Sequence, residues 1–222
     1  MRVISREIEG DDMKLKAGEL PDEVRGQDRF GPGLVQVYTG NGKGKTTAAL
    51  GLALRACGHR FPVTIIQFAK GVSYTGELFS LQRLYPEIRL HRFGRDCRRS
   101  SAIRQGIESC KGCGECMLRR GEIMDRDRQL AEIGFSLALA IATRDEAGIL
   151  ILDEISLAIN FGLLTVGDVV GLIKGKSSDT ELVLTGRDMP QEILAYADLV
   201  TEMREIKHPY AQGIPARRGI EY

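Results

Sequence analysis

The sequence predicts an α/β domain, a mostly parallel sheet with helices on both faces, and three observations predict it. From residue 34 onward, short apolar runs alternate with helical patterns across short polar connections, the signature of strand–helix–strand units. The first run, Leu34-Val35-Gln36-Val37-Tyr38, enters a glycine-rich loop, Gly40-Asn41-Gly42-Lys43-Gly44-Lys45-Thr46-Thr47, and a helical pattern follows. A later run, Gly148–Leu152, ends in the acidic pair Asp153-Glu154. Strand, glycine loop and helix in that order make a P-loop, so the fold is expected to be of the P-loop NTPase (recA-like) type.

Each element follows from local pattern. Residues 1–33 are polar and charged without a sustained period and read as an N-terminal arm joined through Phe30-Gly31-Pro32-Gly33. Residues 34–222 form the domain. Behind the loop, Leu50, Ala53, Leu54 and Cys57 recur at helical spacing until Gly58 stops the helix. Cys57 reads as a small core residue. Val63–Phe68 is a continuous apolar strand, Glu77–Tyr85 a helix and Ile88–Phe93 a strand. Residues of about 94–124 hold arginines, glycines and four of the five cysteines with little apolar period, which marks an insertion. Asp125–Thr143 is a long helix with Leu130, Ile133, Leu137 and Ile141 expected on its core face. Thr165–Lys174 and Pro190–Ala197 are helices, and Glu181–Thr185 and Leu199–Arg204 strands.

The loop dictates a chemistry. Its glycines let backbone N–H groups turn inward around phosphate oxygens, and the helix N-terminus behind them favours an anion. Gly40, Asn41, Gly42, Lys43, Gly44, Lys45, Thr46 and Thr47 are therefore expected to bind ATP, with Lys45 along the phosphates and the Thr46 hydroxyl on Mg²⁺. The usual pattern has its first glycine where this chain has Thr39, one place before Gly40. Asp153 and Glu154 are expected to hold Mg²⁺ or its water shell opposite Thr46, and Glu154 joins Lys45 and Thr46 as a catalytic candidate. Gln67 and Lys70, at the end of their strand, face the crevice where ligands of parallel sheets bind.

Cys110, Cys113 and Cys116 place three thiols in seven residues, and Cys97 offers a fourth. The spacing resembles the start of a [4Fe–4S] ferredoxin run without its Cys-Pro end, whereas four-cysteine zinc sites more often use paired knuckles; Zn²⁺ and free thiols stay open as alternatives. Lys plus Arg (31) and Asp plus Glu (30) nearly cancel, so nothing argues for a nucleic-acid partner. No apolar run approaches a membrane span and no signal-peptide core opens the chain, so the cytoplasm is expected.

Further segments carry a resemblance. GNGKGKTT at Gly40–Thr47, QFAKG at Gln67–Gly71, Tyr74-Thr75-Gly76-Glu77, Asp153-Glu154 with Ala158 and Gly162-Leu163-Leu164, ELVLTGR at Glu181–Arg187, and the tail KHPYAQGIPARRGIEY look like the P-loop ATP:corrinoid adenosyltransferases of cobalamin synthesis, which act on cob(I)alamin or cob(I)yrinic acid a,c-diamide. The likeness covers about residues 33–93 and 145–222. It implies transfer of the adenosyl group of ATP to Co(I) with release of triphosphate and ATP bound in reversed orientation; Arg187 is the candidate for a second phosphate clamp, with a structural ion pair as the alternative. It also implies a homodimer whose N-terminal helix helps cover the corrinoid, and a flavoprotein or ferredoxin as reductant. The family usually has aromatic corrinoid contacts, Trp included, after an FG pair. This chain has no Trp, retains Phe93 and places Cys97 and the cysteine run there. Other readings of the same motifs are an ATPase or phosphotransferase, and a nucleotide-gated metal or redox-sensing module.

Overall fold

The computed structural model describes residues 31–71, 74–119, 121–144 and 148–222. The expected N-terminal arm lies almost wholly outside the described residues. Six strands, β1 (Val35–Thr39), β2 (Val63–Phe68), β3 (Ile88–Phe93), β4 (Gly148–Asp153), β5 (Thr180–Thr185) and β6 (Leu199–Glu202), form one sheet in the order β3-β2-β4-β5-β1-β6. Every pairing is parallel. All carboxyl ends therefore point the same way, and β5 separates the loop strand β1 from the acidic strand β4.

The apolar runs are continuous because both faces of the sheet are covered. On β4, Leu150 and Leu152 enter one core cluster with Ala138 and Val169, while Ile149 and Ile151 enter a second with Ala49 and Ala53. Helices α1 (Lys45–Gly58) and α2 (Gly76–Gln82) cover the second face. The first face holds α4 (Asp125–Ala142), α5 (Ile155–Asn160), α6 (Val166–Gly175) and α7 (Gln191–Leu194). Among the described residues no helix is long and apolar enough to cross a membrane.

The helix faces differ from the sequence expectation in an instructive way. On α1 the buried apolar residues are Ala49, Ala53 and Ala56, and Leu54 is 57% exposed. On α4 they include Ala131, Gly134, Phe135 and Ala138, while Ile133 is 57% exposed and Leu130, Leu137 and Ile141 are only partly buried. Small residues let a helix axis come close to the sheet, and the larger side chains then sit at the flanks. A Cβ on Gly134 would stand 2.6 Å from the Phe93 ring. Cys57 packs half-buried against the second cluster, as expected.

Between β3 and α4 the described residues make one short helix, α3 (Ser100–Arg104), and then no helix or strand up to Met124. Its two ends are clamped together. Arg95 Nε and Nη2 donate to Asp127 Oδ1 and Oδ2 at 2.9 and 2.6 Å, and Asp127 is buried at the first turn of α4. Neither α3 nor α5 has a clear periodic signal in sequence. Conversely, α7 and β6 are shorter than the sequence suggests, and a 3₁₀ turn at Pro209–Gln212 opens the tail.

Candidate functional site

The loop after β1 is shaped by the chain beyond β6. Gly42 N donates to Met203 O at 2.7 Å, Met203 N to Thr39 O at 2.8 Å, and Glu205 N to the Asn41 side-chain oxygen at 3.1 Å. Gly40 takes φ +92°, and a Cβ there would meet Met203 O at 2.5 Å, so only glycine fits. Thr39 remains a strand residue whose hydroxyl accepts from Met189 N at 3.4 Å, which accounts for the displaced first glycine. Lys45 folds back across the loop, its Nζ donating to Gly40 O and Gly42 O at 2.7 Å each. Burial, then the nearby Arg187 charge, pushes its pKa below the ordinary lysine value, so an arriving polyphosphate meets a cation short of negative partners.

Asp153, fully buried at the end of β4, is the hub on the acidic side. Its Oδ1 accepts from Thr46 Oγ1 at 2.9 Å and Thr185 Oγ1 at 2.7 Å; its Oδ2 accepts from Gln67 Nε2 at 3.0 Å and Lys70 Nζ at 2.9 Å. Burial alone would raise its pKa, but Lys70 and the hydroxyl donors outweigh it and hold the carboxyl below its usual value. Glu154 stands in the left-handed region at φ +60°, with its N–H donating to Thr185 Oγ1 at 3.0 Å. Burial, reinforced by Asp153, raises its pKa despite Lys70, Lys45 and Arg187 nearby. Lys70 Nζ bridges Thr46 Oγ1 (3.2 Å) and Asp153 Oδ2 (2.9 Å) and reaches Glu154 Oε1 at 3.9 Å. An ammonium thus occupies the point between hydroxyl and carboxylates. These all-oxygen donors fit a hard cation such as Mg²⁺, which would displace it.

Two clefts meet above this hub. The first, of about 520 Å³, is lined by the glycine loop, Lys70, Glu77, Glu154, Arg187 and the tail residues Gly219–Tyr222. The second, of about 410 Å³ and mostly apolar, shares Lys70, Glu77, Glu154 and Tyr222 with it and adds Gln67, Arg92, Met117, Leu118 and Leu157. Gln67 Oε1 and Arg92 Nε are buried without a hydrogen-bond partner among the described residues, so this cleft offers one acceptor and one donor to a guest.

The structure thus brings Gly42, Lys43, Gly44, Lys45, Thr46, Thr47, Gln67, Asp153, Glu154 and Arg187 to one end of the sheet. Arg187 is held through its backbone: Ser156 Oγ donates to its carbonyl at 2.6 Å and Asn160 Nδ2 at 3.3 Å. Asn41 serves the loop's own architecture, and Lys43 pairs with Glu221 at 2.8 Å. Phe93 lies elsewhere, its ring against Gly134 of α4 rather than among the residues lining the apolar cleft. The cysteines are free thiols, and among the described residues no three His, Cys, Asp or Glu side chains form a group that holds a metal ion. The expected metal centre is therefore not formed by the cysteines as they stand, because Cys110 and Cys113 point to solvent from an irregular loop. Sequence reasoning missed Thr185, Ser156, Tyr222 and Glu77. Thr185 and Ser156 carry a usable signal, each being a hydroxyl within three residues of a strand end beside the crevice.

Residues 32–222 match the family model described as ATP:corrinoid adenosyltransferase BtuR/CobO/CobP. The chain is 31% identical over 201 residues to a corrinoid adenosyltransferase of Pseudomonas aeruginosa, covering 90% of this chain and 89% of that one. It is 34% identical over 191 residues to a corrinoid adenosyltransferase of a Sinorhizobium species, covering 86% and 80%. Against the corrinoid adenosyltransferase CobA of Salmonella typhimurium, identity is 30% over 190 residues and 86% of each chain.

Proposed function

The chain belongs to the ATP:corrinoid adenosyltransferase family, and from that membership and its paired clefts we propose how its residues carry the reaction. The enzyme transfers the 5′-deoxyadenosyl group of ATP to the cobalt of a corrinoid. The observation that carries the residue roles is the junction of two unlike clefts, one cationic and glycine-lined, the other apolar, sharing Glu154, Lys70 and Tyr222.

The electron pair on Co(I) attacks C5′, the C5′–O bond breaks, and that pair leaves with the triphosphate. Co(I) needs no deprotonation, so the protein needs no general base at the nucleophile. Its task is to stabilise charge on the leaving group and hold the two reactants in line. Lys45 exchanges its two loop carbonyls for phosphate oxygens, and Arg187, which lines the same cleft, adds a second cation. Thr46, Asp153 and Glu154 would hold Mg²⁺, which supplies further neutralisation of the triphosphate. The apolar cleft receives the corrinoid face, with Gln67 and Arg92 available to its amide groups. The same reading includes a homodimer, an arm from residues 1–30 that covers the corrinoid, and an external one-electron reductant.

Incubation of the protein with ATP, Mg²⁺ and chemically reduced cobalamin tests this directly. A cobalt–carbon bond and inorganic triphosphate in equal amounts are expected. ADP and phosphate without adenosylated product would instead mark a phosphotransferase or ATPase.

A further inference from the structure

The cysteine run is the one motif that adenosyl transfer leaves unused. We propose that Cys97, Cys110, Cys113 and Cys116 together ligate one [4Fe–4S] cluster, which fastens the insertion between β3 and α4 against the apolar cleft.

Four observations carry it. First, the four thiols share one neighbourhood although Cys97 and Cys110 are 13 positions apart. Tyr74 Oη donates to Cys110 Sγ at 3.2 Å, and Tyr74 and Cys116 line the same apolar cleft. Cys113 lines a neighbouring cleft together with Asp96 and Arg98, the two residues that flank Cys97. Second, the loop is built to close. Gly112 and Gly114 both have positive φ, 65° and 75°, so the chain between the three thiols coils back on itself twice. Cys97 is buried and Cys116 lines the apolar cleft, whereas Cys110 and Cys113 are exposed, so closing the centre requires the outer pair to turn inward. Third, residues 94–124 carry seven basic against four acidic side chains, a positive surplus that suits the two negative charges of a four-thiolate centre. Fourth, among the described residues from Gln105 to Met124 there is neither helix nor strand, and only Leu118 and Ile123 of these pack against the core. A segment so poor in apolar anchors needs a cross-link, and metal ligation supplies one at the cost of no core volume.

Three thiols at positions i, i+3 and i+6 fit three corners of a cubane, with the remote cysteine on the fourth, better than they fit the paired knuckles of zinc. The Tyr74 hydroxyl then donates to a ligand sulfur, as groups outside a metal centre commonly do. Tyr74 also packs edge-on against Tyr222 at 5.4 Å between ring centroids, so the cluster is one residue removed from the wall common to both clefts.

Anaerobically isolated full-length protein, reconstituted with ferrous iron and sulfide, is expected to hold about four iron and four sulfide per chain. Iodoacetamide should then label Cys110 and Cys113 only after the cluster is removed by chelation, a readout that needs no variant. Cys110→Ser and Cys113→Ser should each lose most of the iron while still binding ATP, and Cys57→Ser, on α1, should keep it. One zinc per chain without sulfide would overturn the cluster. So would iron unchanged in either serine variant, no bound metal, or exposed thiols that alkylate equally fast with and without iron.

Discussion

Lys45 is the residue on which the phosphate cradle turns. It is buried, it bridges Gly40 O and Gly42 O, and its charge is disfavoured there until a polyphosphate arrives. Lys45→Ala is expected to lower kcat by a factor equivalent to about 2.7–4 kcal/mol, the loss typical of one preorganised electrostatic group. Stopped turnover under saturating ATP measures it, and near wild-type kcat would place the leaving-group charge elsewhere. Glu154 supports a prediction of opposite signs. Its raised pKa means that the folded state holds the proton more tightly than the unfolded chain. That contribution is present below the unfolded glutamate value of about 4.3 and is lost as pH rises through the folded one. Once ionised, the carboxylate therefore opposes folding, while Mg²⁺ binding requires it. Glu154→Gln should raise the thermal midpoint at pH 7, raise the Mg²⁺ concentration needed for half-maximal activity, and flatten the pH dependence of that requirement. Asp153, with a lowered pKa, behaves the other way: its stabilisation is present above the unfolded aspartate value and lost as pH falls through the folded one. A destabilised Glu154→Gln at pH 7 would show that its pairing with Lys70 outweighs its burial.

At the scale of elements, small residues decide how closely the helices meet the sheet. Gly134 of α4 faces the Phe93 ring with no room for a Cβ, whereas the larger Ile133 next to it faces solvent. Gly134→Val should cost about 1–3 kcal/mol by overpacking, and Ile133→Ala should stay within about 0.5 kcal/mol of wild type. Urea unfolding of the two variants separates these outcomes; the reverse order would restore the large-residue face expected from sequence. The periodicity of α4 was legible, but its inner face was not, because hydrophobicity scales weight Ile and Leu above Ala and Gly. What the sheet demanded was closeness rather than bulk. The Arg95–Asp127 clamp at the roots of the insertion was equally hidden, since its partners lie 32 positions apart without a motif.

At the scale of the molecule, the last residues of the chain return to the first loop. Glu221 pairs with Lys43, and Tyr222 lines both clefts while its ring meets Tyr74. These contacts are exposed and contribute little to folding, but they form a wall of the site. A chain ending at Arg218 is expected to unfold at a similar temperature and to show a several-fold higher KM for ATP, for the corrinoid, or for both. Steady-state kinetics with each substrate varied in turn tests this. Unchanged KM values for both would make the tail a bystander.

The local order strand, glycine loop, helix, and later strand, acidic pair, was written in the sequence, because backbone curvature and phosphate chemistry each demand specific residue types at fixed spacing. From it came the α/β class, the parallel sheet, and the roles expected of Lys45, Thr46, Asp153 and Glu154. Strand order was not written there. Only the folded chain inserts β5 between β1 and β4, bringing Thr185 onto Asp153, and sets the segment after β6 under the loop so that Gly40 and Gly42 have no alternative. Only it packs Phe93 against the core, draws Tyr74 and Tyr222 together from 148 positions apart, and sets Cys110 against Tyr74. Those contacts join residues distant along the chain and obey no period, so nothing but the packing of helices on the sheet selects them.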